Sequence, residues 1–377
     1  MDFQLSAEQR MIRDLAHTFA DREIRPVAAE YDRAERFPRP LFERAQELGL
    51  LNLTMPEAYG GAGLGGLEQC IVVEQLAWGC VGITAAMTIN GLVADALLVG
   101  ATPEQQAAYL PRLRTGELGC YALTEPGAGS DVAAITTSAR RDGDEYVLNG
   151  AKVWISNATE ASFIVLFAKT DPAAGHRGIS AFIVERDTPG VTVGHKMGKL
   201  GQKAAPTAEI HLDNARVPVS ARMGEEGTGF RIAMGVFDRS RPMVAAMGVG
   251  VTARCLDEAL SYAKTRQTMG RPILEHQAIG HKIAQMGLRL EAARLLTYQA
   301  AWLHDSGQRN TLQAAYAKAF AADTAMWAAT EAIQVHGGMG YSTEYPVEKL
   351  LRDAKVLQIY EGTSEIQHNI MVRELAR

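Results

Sequence analysis

The stretch of sequence that decides the fold class is Tyr146-Val147-Leu148-Asn149-Gly150-Ala151-Lys152-Val153-Trp154-Ile155. Runs rich in aromatic and aliphatic residues flank Asn149-Gly150, a pair whose two members both tolerate the positive φ angles of a type I′ turn. This pattern predicts a β-hairpin with its turn at Asn149-Gly150. Further β-rich runs, each ended by Gly, Pro or Asp, follow at 163–168, 179–184, 191–193 and 209–212. We therefore predict a compact antiparallel β domain in the middle of the chain.

Helical patterns lie on both sides of these strands. From Leu5 to about Glu117, charged and apolar residues follow a helical period, and Pro103 is placed to open a helix. After Gly229, one helix of about seven turns carries small and apolar residues at steps of four and three. These are Ile279, Ile283, Met286, Leu290, Ala293, Thr297 and Ala300. Residues 310–335 form a second, Ala-rich helical pattern of the kind found in bundles.

The chain is therefore predicted to be mainly α with a central β domain. We expect an N-terminal helical domain at 1–118, the β domain at 119–226 and a helical bundle at 227–377. The 377 residues include 47% hydrophobic and 21% charged residues, which is typical of soluble globular proteins and excludes disordered, collagen-like and coiled-coil classes. The net charge of −5, without long runs of one sign, gives no indication of nucleic-acid or anionic-membrane binding by bulk charge.

Charges interrupt the apolar stretches within about a dozen residues, short of the roughly 20 that span a bilayer, so we expect no transmembrane helix. The N-terminus shows neither a secretory signal nor a transit peptide, which predicts a cytoplasmic location or a chain from which such a segment has been removed. The four cysteines form no CxxC pair, and we expect reduced, buried thiols at Cys70, Cys80, Cys120 and Cys255. The nine histidines show no metal-ligand spacing, so no metal site is predicted.

A glycine-rich segment at 61–66, Gly-Ala-Gly-Leu-Gly-Gly, satisfies the GxGxxG pattern of dinucleotide-binding turns. The preceding residues contain Pro56 and few β-branched side chains, and no acidic residue lies about 20 positions further on to hold a ribose. The strand-turn-helix context is absent. We interpret the segment as a connection between helices.

The segment that opens the β domain, residues 121–131, has the sequence Tyr-Ala-Leu-Thr-Glu-Pro-Gly-Ala-Gly-Ser-Asp. Gly127 and Gly129 allow the backbone to approach a flat or anionic ligand closely, and Thr124 and Ser130 offer hydroxyls. By residue types alone, an ordinary Pro-Gly loop is favoured over a ligand site.

Together with seven other motifs, this segment resembles the acyl-CoA dehydrogenase family, closest to its medium-chain and short-chain type. The motifs occur in the family's order over essentially the whole chain: LSAEQRMIRD, PEAYGGAGLG, YALTEPGAGSD, NGAKVWISNA, FDRSRP, EHQAIG, QVHGGMGY and IYEGTSEIQ. The resemblance implies an N-terminal helical domain, a middle antiparallel β-barrel and a C-terminal four-helix bundle. It also implies a homotetramer with FAD lying partly between subunits.

The resemblance assigns residues of the β domain to the flavin. Tyr121, Leu123 and Thr124 would border the ring, with Thr124 bonding its pyrimidine side, and Trp154 would pack on the isoalloxazine. The remaining flavin contacts of this part of the chain would be Ser130, Ile155 and Ser156. Ser156 stands where the family commonly has Thr, and either hydroxyl can bond near the flavin N5. By residue type alone, Trp154 would be a core aromatic of the β domain.

A second group of cofactor contacts is implied for the FAD of the neighbouring subunit. Arg266 would reach the pyrophosphate, a task that suits its bidentate fork. Gln267 and Met269 depart from the family's usual Lys and Phe. The other implied cofactor contacts are Thr268, Gln277, Gln334, Val335, Gly337, Gly338, Thr363, Ser364 and Glu365. Gly337 also fits a simple helix C-cap.

For catalysis, the resemblance implies Glu361 as the base that removes a proton α to a thioester. By residue type alone, a Glu beside a Gly after a helix is usually a solvated charge. An α-proton is weakly acidic, so an effective base must be desolvated and its pKa raised. Some family members carry the base on the FDRSRP helix, where this chain has Ser240, which cannot serve.

Substrate contacts are implied at Ser130, Asp238 and Arg241 for the CoA part, and at Tyr360 and Gly362 near the acyl group. By residue type alone, Asp238 and Arg241 would be an ion pair on a helix surface. The family more often has Arg and Ser where this chain has Lys203 and Ala205.

The resemblance thus predicts FAD-dependent α,β-dehydrogenation of a saturated acyl-CoA to the trans-2-enoyl-CoA, with electrons passed to an electron-transfer flavoprotein and a role in fatty acid β-oxidation. The same desaturation on an acyl carrier protein thioester, or an acyl-CoA oxidase, is the alternative. A non-catalytic flavoprotein scaffold is the alternative from a different class. Residues 80–91 are expected to shape the acyl tunnel, with a shallower end at Thr88-Ile89.

Overall fold

The computed structural model describes residues 4–377, and within them a run of strands separates two groups of helices. The first group comprises α1 Ala7–Phe19, α2 Ala28–Ala34, α3 Arg39–Glu47, α4 Gly66–Gly100 and α5 Pro103–Arg114. The second comprises α6 Gly229–Thr265, α7 Gln277–Asp305, α8 Thr311–His336, α9 Val347–Lys355 and α10 Ser364–Leu375. The predicted fold class, mainly α with a central β domain, is confirmed.

The strands begin five residues after α5 and end before α6. They are β1 Gly119–Ala122, β2 Ser138–Asp142, β3 Glu145–Ser156, β4 Phe163–Lys169, β5 Ile179–Glu185, β6 Val191–Lys196, β7 Thr207–Pro218 and β8 Arg222–Met223, and a small hairpin, β9 Gln267–Thr268 and β10 Arg271–Pro272, follows α6. On this element order we keep the proposed division at 1–118, 119–226 and 227–377.

The central sheet has the strand order β6-β7-β3-β2-β4-β5-β8, with β1 pairing on β4. Its ladder is mainly antiparallel, as predicted, but β1 runs parallel to β4, and Ser138 of β2 pairs in parallel with Lys169. The parallel arrangement follows from the long connection between β1 and β4, which reverses direction through β2 and β3.

The predicted hairpin at Asn149-Gly150 is wrong. Residues 145–156 form one continuous strand, β3, and the register against β7 shifts between Leu148 and Gly150. Gly150 has φ +147°, and a Cβ there would lie 2.5 Å from the Thr137 hydroxyl, so the glycine serves a β-bulge. The turn that reverses the chain lies earlier, at Gly143 between β2 and β3, where φ is +66°.

Local signals set the helix starts that matter for the site. Thr102 caps α5 and Pro103 occupies its first turn, as predicted. The segment 61–66 connects to α4, and the carboxylate of Asp305, at the end of α7, accepts the N–H groups of Gly66 and Leu67 at 2.8 and 2.9 Å. The interpretation of the GxGxxG pattern as a helix connection is confirmed, because its glycines lead into a helix whose N-terminus is already capped.

Helix α4 corrects one part of the sequence analysis. Residues 75–94 carry no charged side chain, so charges do not interrupt every apolar stretch. By length and composition α4 could cross a membrane, but 89% of its most apolar window is buried inside the fold. The chain thus uses this hydrophobic helix as a core element, packed against α1 and α6.

Helices α6, α7, α8 and α10 form the C-terminal bundle. The predicted stripe on α7 faces the core: Met286, Leu290, Ala293, Thr297 and Ala300 are buried. The Ala-rich face of α8 is buried against α6, where Gly248 allows the backbones to approach closely, since a Cβ there would lie 2.8 Å from a carbonyl of α8. The four cysteines are free and buried, as predicted.

Candidate active site

A cavity of about 1070 Å³ lies where α4, the sheet, α6 and the segment before α10 meet. The α4 wall consists of Ala85, Thr88, Ile89 and Leu92. The cavity is large enough for a cofactor and a substrate together, since drug-sized ligand sites range from about 300 to 1000 Å³. Ala85, Thr88 and Ile89 fall within residues 80–91, whose expected role in shaping an acyl tunnel stays a prediction.

Glu361 lines the cavity, and the residue is partly buried. Ser240 on α6 donates a hydrogen bond from Oγ to Glu361 Oε2 at 2.5 Å. Burial raises the pKa of Glu361, and the Ser240 hydrogen bond and the charges of Arg241 and Lys318 partly offset that rise. A carboxyl group with a raised pKa is a stronger base than a solvated carboxylate.

The backbone at Glu361 and Gly362 has φ angles of +52° and +93°. Side chains from two helices bond the carbonyl oxygens of this turn: Lys318 Nζ of α8 donates to Gly362 O at 2.6 Å, and Gln367 Nε2 of α10 donates to the same oxygen at 3.0 Å. Thr363 then caps α10 through its hydroxyl. The left-handed turn ends the helical path that follows α9 and directs Glu361 away from the axis of α10.

The loop after β1 is held from beneath by a buried ion pair. Lys152 Nζ lies 2.7 Å from Glu125 Oε1 and donates to the carbonyl of Leu123 at 3.0 Å. The other oxygen of Glu125 accepts from the N–H and the hydroxyl of Thr136. Although burial acts in the opposite direction, Lys152 and these hydrogen bonds lower the pKa of Glu125 to about 2. The buried ion pair therefore fixes the position of Leu123 and Thr124, both of which line the cavity.

Trp154 is not the core aromatic that its residue type alone would favour. It lines the cavity with 56% of its surface exposed and has φ +62°. A left-handed backbone at a Trp inside a strand is rare, and it turns the indole out of the regular alternation of the sheet. A large flat apolar ligand could pack on this exposed ring.

Asp238 and Arg241 differ from a surface ion pair in their burial. Arg241 is 5% exposed, lies 3.3 Å from Asp238 Oδ1, and packs over the Phe237 ring at 5.4 Å. Asp238 also accepts from the Thr311 hydroxyl at 2.9 Å. The Nε of Arg241 has no hydrogen-bond partner within residues 4–377, and both charged residues line the cavity. The pair therefore lies in the wall of the cavity, and its contact with a ligand stays a prediction.

The cavity brings together most of the predicted site residues. Those lining it are Tyr121, Leu123, Thr124, Ser130, Trp154, Ile155, Ser156, Asp238, Arg241, Tyr360, Glu361, Gly362 and Thr363. Ser364 instead donates to Asp323 of α8 at 3.0 Å, and Glu365 is exposed on the first turn of α10. These two predicted cofactor contacts lie outside the cavity of this chain.

The remaining predicted cofactor residues lie at one end of the bundle. Arg266, Thr268 and Gln277 are exposed around the β9–β10 hairpin, whose turn is Met269-Gly270 with φ +52° and +78°. Tyr262 near the end of α6 stacks on His336 at the end of α8, with ring centroids 4.3 Å apart, and this stack joins the hairpin to the 334–338 segment.

In that segment, Gln334, Gly337 and Gly338 are exposed, whereas Val335 is buried in the core. Only the backbone of Val335 could therefore contact a ligand. Gly337 is also the C-cap of α8, with φ +60°, so the helix-cap interpretation holds as well. Both segments face outward, as a site shared with another subunit requires.

Three residues around Glu361 were missed by sequence reasoning. Ser240 was dismissed because it cannot act as a base, yet it bonds the candidate base directly. Lys318 shares the buried Ala face of α8 and is 0% exposed, and a charge on an apolar stripe was the available signal. Gln367, also 0% exposed, follows Glu361 by six residues without any pattern that singles it out.

Comparison with protein families identifies the class to which this cavity belongs. Residues 6–117 match the N-terminal domain of acyl-CoA dehydrogenases, 120–215 the middle domain and 227–376 the C-terminal domain. The chain belongs to the acyl-CoA dehydrogenase family, and it is an oxidoreductase of that family.

Individual relatives narrow the comparison. The chain is 42% identical to the mitochondrial short-chain specific acyl-CoA dehydrogenase of Bos taurus, over 99% of this chain and 91% of the relative. It is 41% identical to an acryloyl-CoA reductase (NADH) of Anaerotignum propionicum, over 100% and 96%. Butyryl-CoA dehydrogenase of Megasphaera elsdenii has a TM-score of 0.97 and 39% identity over the full length of both chains.

The cofactor of this family is FAD, and the solved structure of PigA with FAD and proline matches this chain with a TM-score of 0.96 and 32% identity. The cavity fits the group. Trp154 offers an exposed ring for the flavin, and a Cβ on Gly127 or Gly129 would meet no atom within 4 Å, which leaves open space beside the loop. Thr124 and Ser156 line the same cavity with hydroxyls.

Proposed function

We propose that this chain catalyses the α,β-dehydrogenation of a short-chain saturated acyl-CoA to the trans-2-enoyl-CoA. The observation that carries the proposal is the placement of the Glu361 carboxyl in the cavity, with burial raising its pKa and Ser240 donating to it. We assign Glu361 as the base that removes the α-proton of the thioester. FAD, when bound, supplies the electron sink that accepts a hydride from the β-carbon.

The residues around Glu361 orient the thioester for this step. Asp238 and Arg241 line the cavity from α6, two positions before and one position after Ser240, and we assign them with Ser130 to the CoA part of the substrate. Tyr360 and Gly362 precede and follow the base in the chain, and we assign them to the apolar surroundings of its carboxyl group. Keeping water away from the carboxyl preserves its raised pKa, while fixing the α-carbon beside it lowers the entropic cost of proton transfer.

We assign the acyl part of the short-chain thioester to the α4 wall. Thr88 and Ile89 line the cavity, and the Thr88 hydroxyl is already bonded to the carbonyl of Thr84 at 2.9 Å. The acyl end of the site is therefore an aliphatic surface with no free hydroxyl from this residue. Short-chain and butyryl-CoA enzymes among the relatives support the same length class.

We further propose a homotetramer in which the second group of cofactor contacts meets the FAD of a neighbouring subunit. Helix α7 exposes an apolar stripe at intervals of seven residues, with Leu288, Leu295 and Trp302 at 65%, 50% and 53% exposure. Such an apolar stripe on a bundle helix is suited to contact with another subunit.

We also propose that electrons leave through an electron-transfer flavoprotein. A solved structure whose description names the electron transferring flavoprotein of Acidaminococcus fermentans contains a chain similar to this one.

The test is anaerobic titration of the FAD-loaded enzyme with butyryl-CoA. We expect the flavin absorbance to bleach with one equivalent of substrate and trans-2-butenoyl-CoA to form. A flavin that remains oxidised with every short acyl-CoA, but bleaches with an acyl carrier protein thioester, would show that the carrier-protein alternative is right.

Two other activities give different outcomes. Rapid reoxidation of the bleached flavin by oxygen, with hydrogen peroxide as product, would identify an oxidase. Net reduction of acryloyl-CoA at the expense of a reduced electron carrier would place the chain with the reductase relative. A flavin that responds to no thioester would leave a non-catalytic scaffold.

A further inference from the structure

The Glu361–Gly362 turn is held by more than its own backbone. Two fully buried side chains converge on the Gly362 carbonyl, Lys318 from α8 at 2.6 Å and Gln367 from α10 at 3.0 Å. Gln367 Nε2 also lies 3.3 Å from the carbonyl of Glu361. Neither residue lines the cavity, so neither contacts a substrate directly.

We propose that Lys318 and Gln367 are positioning residues, which clamp the left-handed Glu361–Gly362 turn and so keep the Glu361 carboxyl directed into the cavity. The inference rests on the proposed function of Glu361 as the base.

Backbone strain explains why a clamp is needed. The left-handed backbone at φ +52° is disfavoured for a non-glycine residue, so an unrestrained Glu361 would relax to a right-handed or extended conformation. That relaxation would swing the side chain off its present direction. Rotation about the Glu361 backbone bonds would displace the carbonyl oxygens of Glu361 and Gly362, which accept hydrogen bonds from Gln367 Nε2 at 3.3 Å and Lys318 Nζ at 2.6 Å. Thr363, as the N-cap of α10, fixes the chain on the other side.

The space around Gly362 shows that the clamp is tight. A Cβ on Gly362 would lie 2.6 Å from Gln367 Nε2, so the amide packs directly against the turn. Gln367 Oε1 has no hydrogen-bond partner among the described residues, which means that its amide is oriented by its two donor contacts to the turn.

Lys318 acts through its charge as well as its hydrogen bond. Charged groups on three helices act on Glu361: Arg241 on α6 and Lys318 on α8 lower its pKa, and Asp95 on α4 raises it. Burial and the nearby charge of Arg241 lower the pKa of Lys318 to about 8, against the attraction of Glu361, Asp323 and Glu365. The ammonium is therefore mostly charged at pH 7 and loses that charge as the pH rises through 8.

The experiment compares Lys318→Met, Lys318→Arg and Gln367→Met in the FAD-loaded enzyme. Lys282→Met is the matched control, because Lys282 pairs with Glu331 between α7 and α8 of the same bundle and does not reach the turn. Methionine preserves length and apolar packing at a buried site, and bound FAD reports that each variant is folded.

The first measurement is amide hydrogen exchange of the 359–367 segment without substrate. We expect K318M and Q367M to increase exchange at this segment by about tenfold or more, and K282M to leave it unchanged. Equal protection in the wild type, K318M, Q367M and K282M would overturn the clamp. Because no turnover is involved, this result stands whether or not the proposed function does.

The second measurement is the pH dependence of flavin reduction by butyryl-CoA. For K318M we expect the midpoint on the acid side to rise by roughly one unit, with the difference from the wild type shrinking above pH 8. K318R should restore the midpoint, and Q367M should slow reduction without moving it. An unshifted K318M midpoint would refute the electrostatic role. A wild type that butyryl-CoA does not reduce would count against the proposed function alone.

Discussion

Ser240 Oγ lies 2.5 Å from Glu361 Oε2, a hydrogen bond between residues 121 positions apart in the sequence. The hydroxyl donates to the carboxylate form of Glu361 and so lowers its pKa, whereas burial raises it. The pKa of the candidate base thus depends on opposing effects, in which the Ser240 hydrogen bond and the charges of Arg241 and Lys318 act against burial.

Replacing Glu361 by Gln should abolish catalysis while preserving binding. The amide has the same shape but cannot accept the α-proton, so we expect the rate of flavin reduction by butyryl-CoA to fall by at least about 10³-fold. FAD content and the dissociation constant for butyryl-CoA, measured by the flavin spectrum, should change little. A rate within tenfold of the wild type would mean that the base is another residue.

Replacing Ser240 by Ala should move the pH dependence. Without the donor, the charged form of Glu361 loses a hydrogen bond and its pKa rises, so the acid limb of kcat/KM should shift upward by roughly one unit. Activity is then lost at a higher pH on acidification, and the plateau at alkaline pH is retained. Ser240→Thr keeps the hydroxyl and should keep the wild-type midpoint. Superimposable profiles for S240A and the wild type would contradict the role of this hydrogen bond.

Replacing Ile89 by Ala should lengthen the preferred acyl chain. The change removes methylene groups from the α4 wall of the cavity, and a single methylene is worth about 10-fold or more in discrimination. We expect the ratio of kcat/KM for octanoyl-CoA over butyryl-CoA to rise at least tenfold. Leu98→Ala, on the same helix but outside the cavity, should leave the ratio unchanged, and an equal rise in both variants would speak against Ile89 as a determinant.

Replacing Lys152 by Met should destabilise the folded protein strongly. The change leaves the Glu125 carboxylate buried without its cation, and breaking a buried pair from one side costs about 3–5 kcal/mol. Thermal unfolding should therefore begin several degrees lower, and FAD affinity should fall because the Leu123–Thr124 loop loses its support. The double change Glu125→Gln and Lys152→Met should cost less than K152M alone.

Arg216→Met provides the comparison for that prediction. Arg216 pairs with Asp142 and Glu145 on the surface of the same sheet, where exposed pairs contribute less than about 1 kcal/mol. A K152M protein as stable as R216M would show that the pair contributes little.

The wild type should also lose stability on acidification, because the pKa of Glu125 is held at about 2 in the fold. The contribution of the Glu125 carboxylate to stability is complete above the ordinary carboxyl pKa and disappears as the pH falls towards 2.

Local patterns in the sequence were sufficient for the helices. The period of apolar residues on α7 and the Pro103 start of α5 depend on neighbours along the chain, so they can be read without a fold. Asn149-Gly150 shows where local reading ends. The pair suits a type I′ turn and a β-bulge equally well, and pairing of β3 with the distant strand β7, where Asn214 N–H donates to Asn149 Oδ1 at 2.9 Å, selects the bulge.

The sequence by itself determined the fold class, the order of helices and strands, the family and the candidate base, because periodicity and ordered motifs are properties of the linear chain. The tertiary structure alone decided the surroundings of that base. Ser240, Lys318 and Gln367 reach the Glu361–Gly362 turn from three different helices, and a buried serine, lysine or glutamine carries no local signal of its partner. Proton affinity depends on what surrounds a carboxyl in space, so the chemistry of Glu361 is set only when α6, α8 and α10 pack together.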